Sequence, residues 1–444
     1  MSRPFHSVTL DRDKCKGCIT CINRCPTGAI RVREGKAKIL SELCIDCGEC
    51  IRRCPHHAKK AVFDHLDMLS RYKITVALPA PTLYGQMNNL DDIDFVLTAL
   101  KDMGFDYIFE VSRAAELVSE YTRRLLKEDK LKKPVISSAC PAVVRLIKIR
   151  FPELCDNVLP VLSPMELAAR IAKHTIMCKT GAKYDEIGAF FISPCPAKVT
   201  DTKNPISEDV SAVDGVLAIS DIYPTLISKM NKIKTPEQLS ECGVIGVSWA
   251  GSGGEASALL HDKYLAADGI EQVIKILEEV ENEKLGDLDF IELNACEGGC
   301  VGGVLTVENP YVAKARLKQL RKYLPVSKNH IDSLTDIHSF EWENELEPAP
   351  GMKLSDDLET ALKMMNRIDE IQNELPLLDC GSCGAPSCRA LAEDIVLGYA
   401  TINDCVFRLR DNIRSIAKRI DDDELNSYLS DKPLTKRNEN DECK

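Results

Sequence analysis

The sequence predicts an α/β protein whose main body contains parallel sheets, preceded by a small α+β domain and followed by a small α-helical domain. Strand-like and helix-like segments alternate between residues 71 and 345, a pattern typical of parallel sheets covered by helices. Closely spaced cysteines occur before, within and after this body. A chain of 444 residues is too long for one ordinary core, so we expect about three domains.

Net charge and hydropathy argue against a nucleic-acid-binding protein and against a membrane or secreted protein. The net charge of −11 argues against a nucleic-acid partner. No apolar run reaches the roughly 18 residues that a membrane span requires, and Met1 to His6 lack the charged and apolar regions of a secretory signal. We therefore expect a cytoplasmic protein that does not act at a membrane.

Twenty cysteines indicate metal ligation rather than disulfides, because cytosolic reductants keep thiols reduced. Sixteen of them fall in the motifs described below. The other four are interpreted as small buried hydrophobes or an exposed tail thiol: Cys155, Cys178, Cys242 and Cys443.

The N-terminal domain, residues 1–70, contains the pattern Cys-x-x-Cys-x-x-Cys-x-x-x-Cys-Pro twice. This is the bacterial ferredoxin pattern, in which the fourth cysteine of each run serves the other cluster. The pattern predicts two 4Fe-4S clusters, one held by Cys15, Cys18, Cys21 and Cys54 and one by Cys44, Cys47, Cys50 and Cys25. Two zinc sites are the alternative, less common for this spacing. Ala29 to Arg33 alternates like a short strand before a turn at Glu34 to Lys36.

The body, residues 71–345, opens with segments whose type follows from their apolar spacing. The predicted strands are Lys73 to Leu78 and Tyr107 to Val111, and the predicted helices are Asp91 to Met103 and Ala114 to Leu126. The glycine-rich segment Gly246 to Glu255 lacks the ending of a phosphate loop and the spacing of a dinucleotide turn. Nucleotide binding is therefore discounted.

Three further apolar, strand-like runs end at cysteines. Pro134 to Ile136 precedes Cys140, Ala189 to Ile192 precedes Cys195, and Leu288 to Leu293 precedes Cys296 and Cys300. Ligands of open α/β sheets collect beyond the carboxyl ends of the strands, so we expect these four thiols to meet at one metal centre. Glycines between and after Cys296 and Cys300 would let the backbone approach a bulky cluster.

The segments that contain these cysteines resemble the three signature segments of FeFe hydrogenases. They are Ser137-Ser138-Ala139-Cys140-Pro141, Ile192-Ser193-Pro194-Cys195-Pro196-Ala197-Lys198 and Asn294-Ala295-Cys296-Glu297-Gly298-Gly299-Cys300-Val301-Gly302-Gly303. The resemblance implies a two-lobed domain that holds the H-cluster, a 4Fe-4S cube joined to a two-iron centre with carbon monoxide, cyanide and azadithiolate ligands. By this resemblance Cys140, Cys195, Cys296 and Cys300 ligate the cube, Cys300 bridges to the two-iron centre, and Lys198 donates a hydrogen bond to a cyanide.

The resemblance also implies an activity and its partners. Pro79 and Pro164 match family prolines that line the two-iron pocket, whereas Ala80 stands where many members have a serine. The implied reaction is reversible dihydrogen oxidation and proton reduction. The expected partners are dihydrogen, protons, a ferredoxin-like redox partner or signalling protein, and the maturation proteins that deliver the two-iron centre. The oligomeric state is left open, with a homodimer as one expectation.

The sequence departs from the family in its proton relay. Family members have a second cysteine just before the first cluster ligand, and this chain has Ala139 there. The two relay glutamates would fall within Ser119 to Leu125, where only Glu120 is acidic, and the relay serine corresponds to Leu159. We therefore expect slow turnover, with Glu255 as another proton carrier; alternatively, Glu255 only favours a helix start through the macrodipole.

Two further substitutions separate this chain from typical members of the family. Ser193 and Asn294 stand where family members place methionines near the two-iron site, and polar groups there would change the metal environment. Together with the missing relay thiol, these changes resemble the sensory hydrogenases of groups C and D. No appended sensor domain such as a PAS module is evident, which favours group D.

The C-terminal region begins with a predicted linker, Asn344 to Asp356. A predicted helix from Asp357 to Leu375 follows, with Ser355 as its cap and four apolar residues on one face: Leu358, Leu362, Met365 and Ile368.

Four cysteines come after this helix: Cys380, Cys383, Cys388 and Cys405. Their spacing resembles that of the 4Fe-4S domain of corrinoid iron-sulfur proteins, and a zinc site ranks second. The domain spans residues 346–410, and residues 411–444 are expected to form a helix, Asp411 to Leu429, and a flexible tail.

Two other functions stay open at this point. Eukaryotic relatives of hydrogenases keep cluster cysteines but bind no two-iron centre, so a non-catalytic iron-sulfur assembly factor is one alternative. A plain electron-transfer protein is the other, although the long α/β body would then have no task. The expected inventory for the leading hypothesis is the H-cluster and three accessory 4Fe-4S clusters.

Overall fold

The computed structural model describes residues 5–128, 130–332, 337–349, 354–355 and 357–420. The chain divides into two compact units. The first consists of Met1–Ile30 and Glu34–Met352, and the second of Arg31–Arg33 and Lys353–Lys444. None of the helices in the described ranges is long and apolar enough to cross a membrane.

Short strands and helices form the N-terminal region, as its sequence predicts. They are β1 (Val8–Leu10), α1 (Thr20–Asn23), β2 (Ile30–Arg33), β3 (Lys36–Ile39), α2 (Glu49–Arg53) and β4 (Lys59–Ala61). β1 pairs with β4 in antiparallel fashion, and β2 pairs with β3. The predicted strand at residues 29–33 and the turn after it are confirmed, with positive φ at Glu34 and Gly35.

Two parallel sheets form the framework of the body. Its strands are β5 (Ile74–Pro79), β6 (Tyr107–Ile108), β7 (Val135–Ile136), β8 (Ile187–Ser193), β9 (Gly215–Ala218), β10 (Tyr264–Asp268) and β11 (Phe290–Asn294). One sheet has the order β6-β5-β8-β9 and the other β10-β11-β7. All of these pairs are parallel, so each sheet underlies one lobe of the predicted two-lobed α/β fold.

Helices cover both sheets. They are α3 (Thr82–Gly85), α4 (Asp94–Asp102), α5 (Val111–Glu128), α6 (Pro141–Arg150), α7 (Pro164–Thr180), α8 (Pro196–Lys203), α9 (Ile219–Met230), α10 (Val244–Ser248), α11 (Gly254–Ala258), α12 (Ile270–Glu281) and α13 (Pro310–Leu320). Successive residues of β8 face opposite ways: Phe191 packs in the core shared with α5 and α7, and Phe190 in the core shared with α4 and α9. Burial on both faces explains why parallel strands read as continuous apolar runs.

One predicted strand is too long. The run Tyr107 to Val111 forms only the two-residue strand β6, which pairs with Val76 and Ala77 at the edge of its sheet, and Val111 already begins α5. Aromatic and β-branched residues favour strands, but tertiary packing overrides that preference here. Among the unassigned cysteines, Cys155 and Cys242 are buried as predicted, whereas Cys178 is exposed.

The second unit contains three α-helices in its described part, α14 (Leu358–Glu374), α15 (Cys388–Val396) and α16 (Val406–Ile420). Asp357, not Ser355, caps α14, because its carboxylate accepts the backbone N–H of Thr360. Of the four apolar residues predicted to share one face, only Ile368 is buried; Leu358, Leu362 and Met365 are exposed. The helix instead packs through Ile368 and Ile371.

Two sequence predictions fall partly outside the described residues. Residues 411–420 of the predicted helix Asp411 to Leu429 lie within α16, which begins earlier, at Val406. Residues 421–429 of that helix and the predicted tail, with Cys443, lie outside the described residues. Residues 350–353 and 356 of the predicted linker are also outside them.

A buried carboxylate stabilises the second unit. Asp394, on α15, is 3% exposed and accepts hydrogen bonds from Arg31 and Arg33. Removing one partner of a buried ion pair typically costs about 3–5 kcal/mol. We expect Asp394→Asn to lower the protection of α15 amides against hydrogen exchange by an amount in this range. Glu393→Gln is the matched control. The Glu393 carboxylate is partly exposed and faces Arg389, so it should contribute less than about 1 kcal/mol to stability. Equal protection in the two variants would contradict the prediction.

Candidate active site

The four cysteines of the body follow strands of both sheets. Cys140 comes after β7 and is the N-cap residue of α6; Cys195 comes after β8 and is the N-cap residue of α8. Cys296 and Cys300 lie in the loop after β11. Proline follows each N-cap cysteine and suits the first position of a helix. The structure thus brings the predicted strand-end cysteines to one region.

The four thiols lie close enough to influence one another electrostatically. Burial raises the pKa of Cys195 to about 12, and the charge of Cys140 adds to the rise. Burial also raises the pKa of Cys296 and of Cys300, and Cys195 and Cys140 are the next causes for both. Cys195, Cys296 and Cys300 therefore resist ionisation on their own, and a positively charged metal centre would hold them as thiolates.

A cavity adjoins this cluster of thiols. It contains about 740 Å³ of space, part of it open to solvent. Nine residues singled out from the sequence line it: Ala80, Ala139, Cys140, Pro164, Cys195, Lys198, Glu255, Asn294 and Cys300. Its accessible surface is mostly apolar, as expected for a site that keeps water away from a bound group.

Lys198 provides a test of whether the cavity suits an anionic or hydrogen-bond-accepting group. Its Nζ atom is buried and has no hydrogen-bond partner in the described structure. A buried ammonium group without a partner is costly, so an acceptor bound in the cavity would remove that cost. The donor set, four thiols and one ammonium, therefore fits an iron-sulfur centre with anionic ligands.

Glycines near Cys300 are required by close packing between the loops of the site. Gly299 has φ +87°, and a Cβ there would lie 2.4 Å from the backbone nitrogen of Ser252. A Cβ on Gly303 would lie 2.2 Å from the carbonyl oxygen of Pro194, next to Cys195. These glycines are needed because the cysteine-bearing loops pack backbone against backbone. Their predicted role in letting the backbone approach a cluster stays a prediction.

Two buried carboxylates form a hydrogen-bonded network beside the cavity. Ser137 donates to Glu255 at 2.6 Å, and the backbone N–H of Ala139 donates to the Ser137 hydroxyl. Burial raises the pKa of Glu255 to about 8, with the charge of Glu292 as the second cause. Glu292 accepts hydrogen bonds from Asn294 and from two backbone N–H groups. Sequence reasoning missed Glu292, although an acid between Ile291 and Leu293 in an apolar strand was a usable signal.

Other predicted residues lie at the edge of the site or away from it. Pro79 ends β5 and is buried, and Leu159 is buried as well. Glu120 is not part of the cavity lining; its carboxylate accepts hydrogen bonds from Arg124 and from the Ile331 backbone. The structure therefore does not bring Glu120 to the cavity.

The eight N-terminal cysteines fall into the two predicted sets. One small cavity is lined by Cys15, Cys18, Cys21 and Cys54, and another by Cys25, Cys44, Cys47 and Cys50. The second set is adjacent to the loop that carries Cys300. A Cβ on Gly48 would lie 2.6 Å from Val304, and Arg52 donates to the Gly302 carbonyl at 2.7 Å.

The C-terminal cysteines also converge. Cys383, Cys388 and Cys405 pack in one core. Burial raises the pKa of Cys383, and the charges of Cys380 and Cys405 contribute to the rise. The four thiols predicted to hold the third accessory cluster therefore lie near one another.

Comparisons with known families match three parts of the chain. The model described as iron only hydrogenase large subunit, C-terminal domain, matches residues 73–263 and 255–304. A 4Fe-4S dicluster model matches residues 7–55, and an Fe-S cluster model matches residues 375–407.

Individual relatives are distant. Iron hydrogenase 1 of Clostridium pasteurianum is 24% identical over 388 residues, which are 71% of this chain and 68% of that protein. The periplasmic Fe hydrogenase large subunit of Nitratidesulfovibrio vulgaris is 26% identical over 368 residues, 67% of this chain and 86% of that one. A solved structure of a HydA1 variant, an FeFe hydrogenase from Chlamydomonas reinhardtii, is 15% identical with a TM-score of 0.46, covering 65% of this chain and 97% of that one.

Proposed function

The chain belongs to the iron-only hydrogenase large-subunit family, whose model covers just over half of it, and we propose that it catalyses reversible dihydrogen oxidation and proton reduction. The observation that carries the proposal is the convergence of Cys140, Cys195, Cys296 and Cys300 beside a cavity that contains the unpartnered Lys198 ammonium. The H-cluster would be held by these residues.

The protein's part in the reaction is to hold the cofactor and to move protons and electrons. When bound, the H-cluster supplies the metal site and the amine base at which dihydrogen is split. Ala80, Pro164 and the cysteines enclose the space that it would occupy. Lys198 offers a charge-assisted hydrogen bond to an anionic ligand.

Proton transfer depends on the carboxylates because Ala139 carries no exchangeable side-chain proton. Glu255 has a pKa of about 8 and holds a proton at neutral pH, and Ser137 links it to the backbone of Ala139. A proton leaving the cavity would pass through Glu255. A relay without the usual thiol is expected to be slow, which suits a sensory or regulatory role better than bulk turnover.

The two ferredoxin-like cysteine sets and the C-terminal set would hold three accessory 4Fe-4S clusters. The set that includes Cys47 and Cys50 adjoins the Cys300 loop and would exchange electrons with the H-cluster. The first set would carry them onward to a ferredoxin-like partner or a signalling protein.

Replacing Glu255 with glutamine is expected to slow hydrogen evolution by about 10²-fold, the lower end of the contribution of a positioned acid or base. Wild-type activity should fall as the pH rises through about 8, where Glu255 loses its proton, and the variant should lack this fall.

The raised pKa of Glu255 also makes the folded state lose stability from about pH 4.5 up to about pH 8, and Glu255→Gln should remove that loss. Glu120→Gln is the matched control, since Glu120 lies outside the cavity lining; equal rates in the two variants would exclude Glu255.

Infrared spectroscopy after maturation tests the proposed function directly. Bands of metal-bound carbon monoxide and cyanide, together with dihydrogen oxidation, would support it. A fully loaded set of 4Fe-4S clusters without these bands would instead favour a non-catalytic assembly or electron-transfer protein that lacks the two-iron centre.

A further inference from the structure

Lys59 is a buried cation in the N-terminal region. In β4, successive side chains point to opposite faces, and the two neighbouring lysines differ accordingly. Lys60 points outward, with 54% of its side chain exposed, and pairs with Asp11 at 2.9 Å. Lys59 points inward, is 3% exposed, and its Nζ atom has no hydrogen-bond partner in the described structure.

Lys59 lies near both cysteine sets, because β4 packs against α2, the helix that contains Cys50. It lines the small cavity that contains Cys21 and Cys54. It also acts on the other set: burial raises the pKa of Cys50 to about 12, and the charge of Lys59 is the largest influence that opposes this rise. Burial likewise raises the pKa of Cys21, and the charge of Lys59 is again the largest influence that opposes the rise.

A buried ammonium group requires an anionic partner to offset its lost hydration. A 4Fe-4S cluster held by four thiolates is negatively charged, and taking up one electron makes it more so. The reduction potential of such a cluster depends on its net charge and on hydrogen bonds to its sulfur atoms. A fixed cation shared by two clusters would therefore favour the reduced form of each.

We propose that Lys59 is an electrostatic bridge between the two ferredoxin-like clusters and raises the reduction potential of both. The inference rests on the proposed function only in requiring these two clusters; it does not depend on the H-cluster. Because the second cysteine set adjoins the Cys300 loop, the bridge would set how easily electrons leave the active site.

The test is a redox titration of the full-length protein followed by electron paramagnetic resonance, in which two neighbouring reduced clusters are recognised by their spin coupling. Lys59→Met should lower the equilibrium constant for one-electron reduction of each cluster by about tenfold or more. A tenfold change lowers the reduction potential by about 59 mV. Lys59→Arg should stay near the wild-type potentials. Lys60→Met, which removes a charge from the outer face of the same strand, should leave both potentials unchanged.

Unchanged potentials in Lys59→Met, a shift confined to one cluster, or an equal shift in Lys60→Met would overturn the proposal. Iron content and visible absorbance establish that each variant contains its clusters, and Lys59→Gln replaces Lys59→Met if methionine prevents loading. The carbon monoxide and cyanide bands are recorded on the same samples. Their absence would count against the hydrogenase proposal while leaving the Lys59 result intact.

Discussion

Replacing Ala139 with cysteine is expected to raise the rate of hydrogen evolution by about 10²-fold or more, because a positioned acid or base typically contributes 10²- to 10⁴-fold. Ala139 lines the cavity, and its backbone N–H bonds the Ser137 hydroxyl that donates to Glu255. A thiol at this position would bring an exchangeable proton into the cavity that Glu255 also lines. The rate is measured with a reduced dye as electron donor, at equal cofactor loading.

Ala139→Ser is the matched control for size and polarity. A serine hydroxyl releases its proton far less readily than a thiol, whose pKa is about 8.5, so the serine variant should gain little. The gain from Ala139→Cys should also shrink when Glu255→Gln is added, because both groups would act in one route. Unchanged hydrogen evolution in Ala139→Cys would show that the missing thiol does not limit turnover.

The ligand sets could be predicted from the sequence because metal ligation leaves local patterns. The doubled cysteine run predicts that Cys25 and Cys54 each bind the cluster of the other run. Each of the two cavities is lined by the four cysteines predicted for one cluster. The cysteines of the body could be placed because each follows a strand-like run, and parallel strands bring their carboxyl ends to one edge.

Buried charges outside such patterns could not be predicted. Nothing in the pair Lys59-Lys60 says which side chain points inward until the pairing of β4 is known. Glu292 stands in an apolar run, which is a signal of burial, but its position beside Glu255 is known only from the structure. The apolar face of α14 shows a related limit: periodicity identifies an amphipathic helix but not how much of its apolar face is covered by other residues.

Replacing Lys198 with methionine is expected to remove most of the two-iron centre while leaving the cube in place. The two side chains are similar in length, so the change removes the ammonium group and little volume. A hydrogen bond to a charged group contributes about 1.5–3 kcal/mol, so affinity for the anionic ligands should fall roughly ten- to hundredfold. The measurements are the intensity of the carbon monoxide and cyanide infrared bands after maturation and the iron content per chain.

The matched control is Lys203→Met, at the end of the same helix, where the ammonium is partly exposed and pairs with Asp64 at 2.8 Å. That variant should keep the full infrared intensity. The apo form of Lys198→Met should fold at least as well as the wild type, because an ammonium that is buried without a hydrogen-bond partner costs stability when no cofactor is bound. A variant that folds and retains wild-type infrared bands would show that Lys198 does not hold the two-iron centre, and its burial would then need another cause.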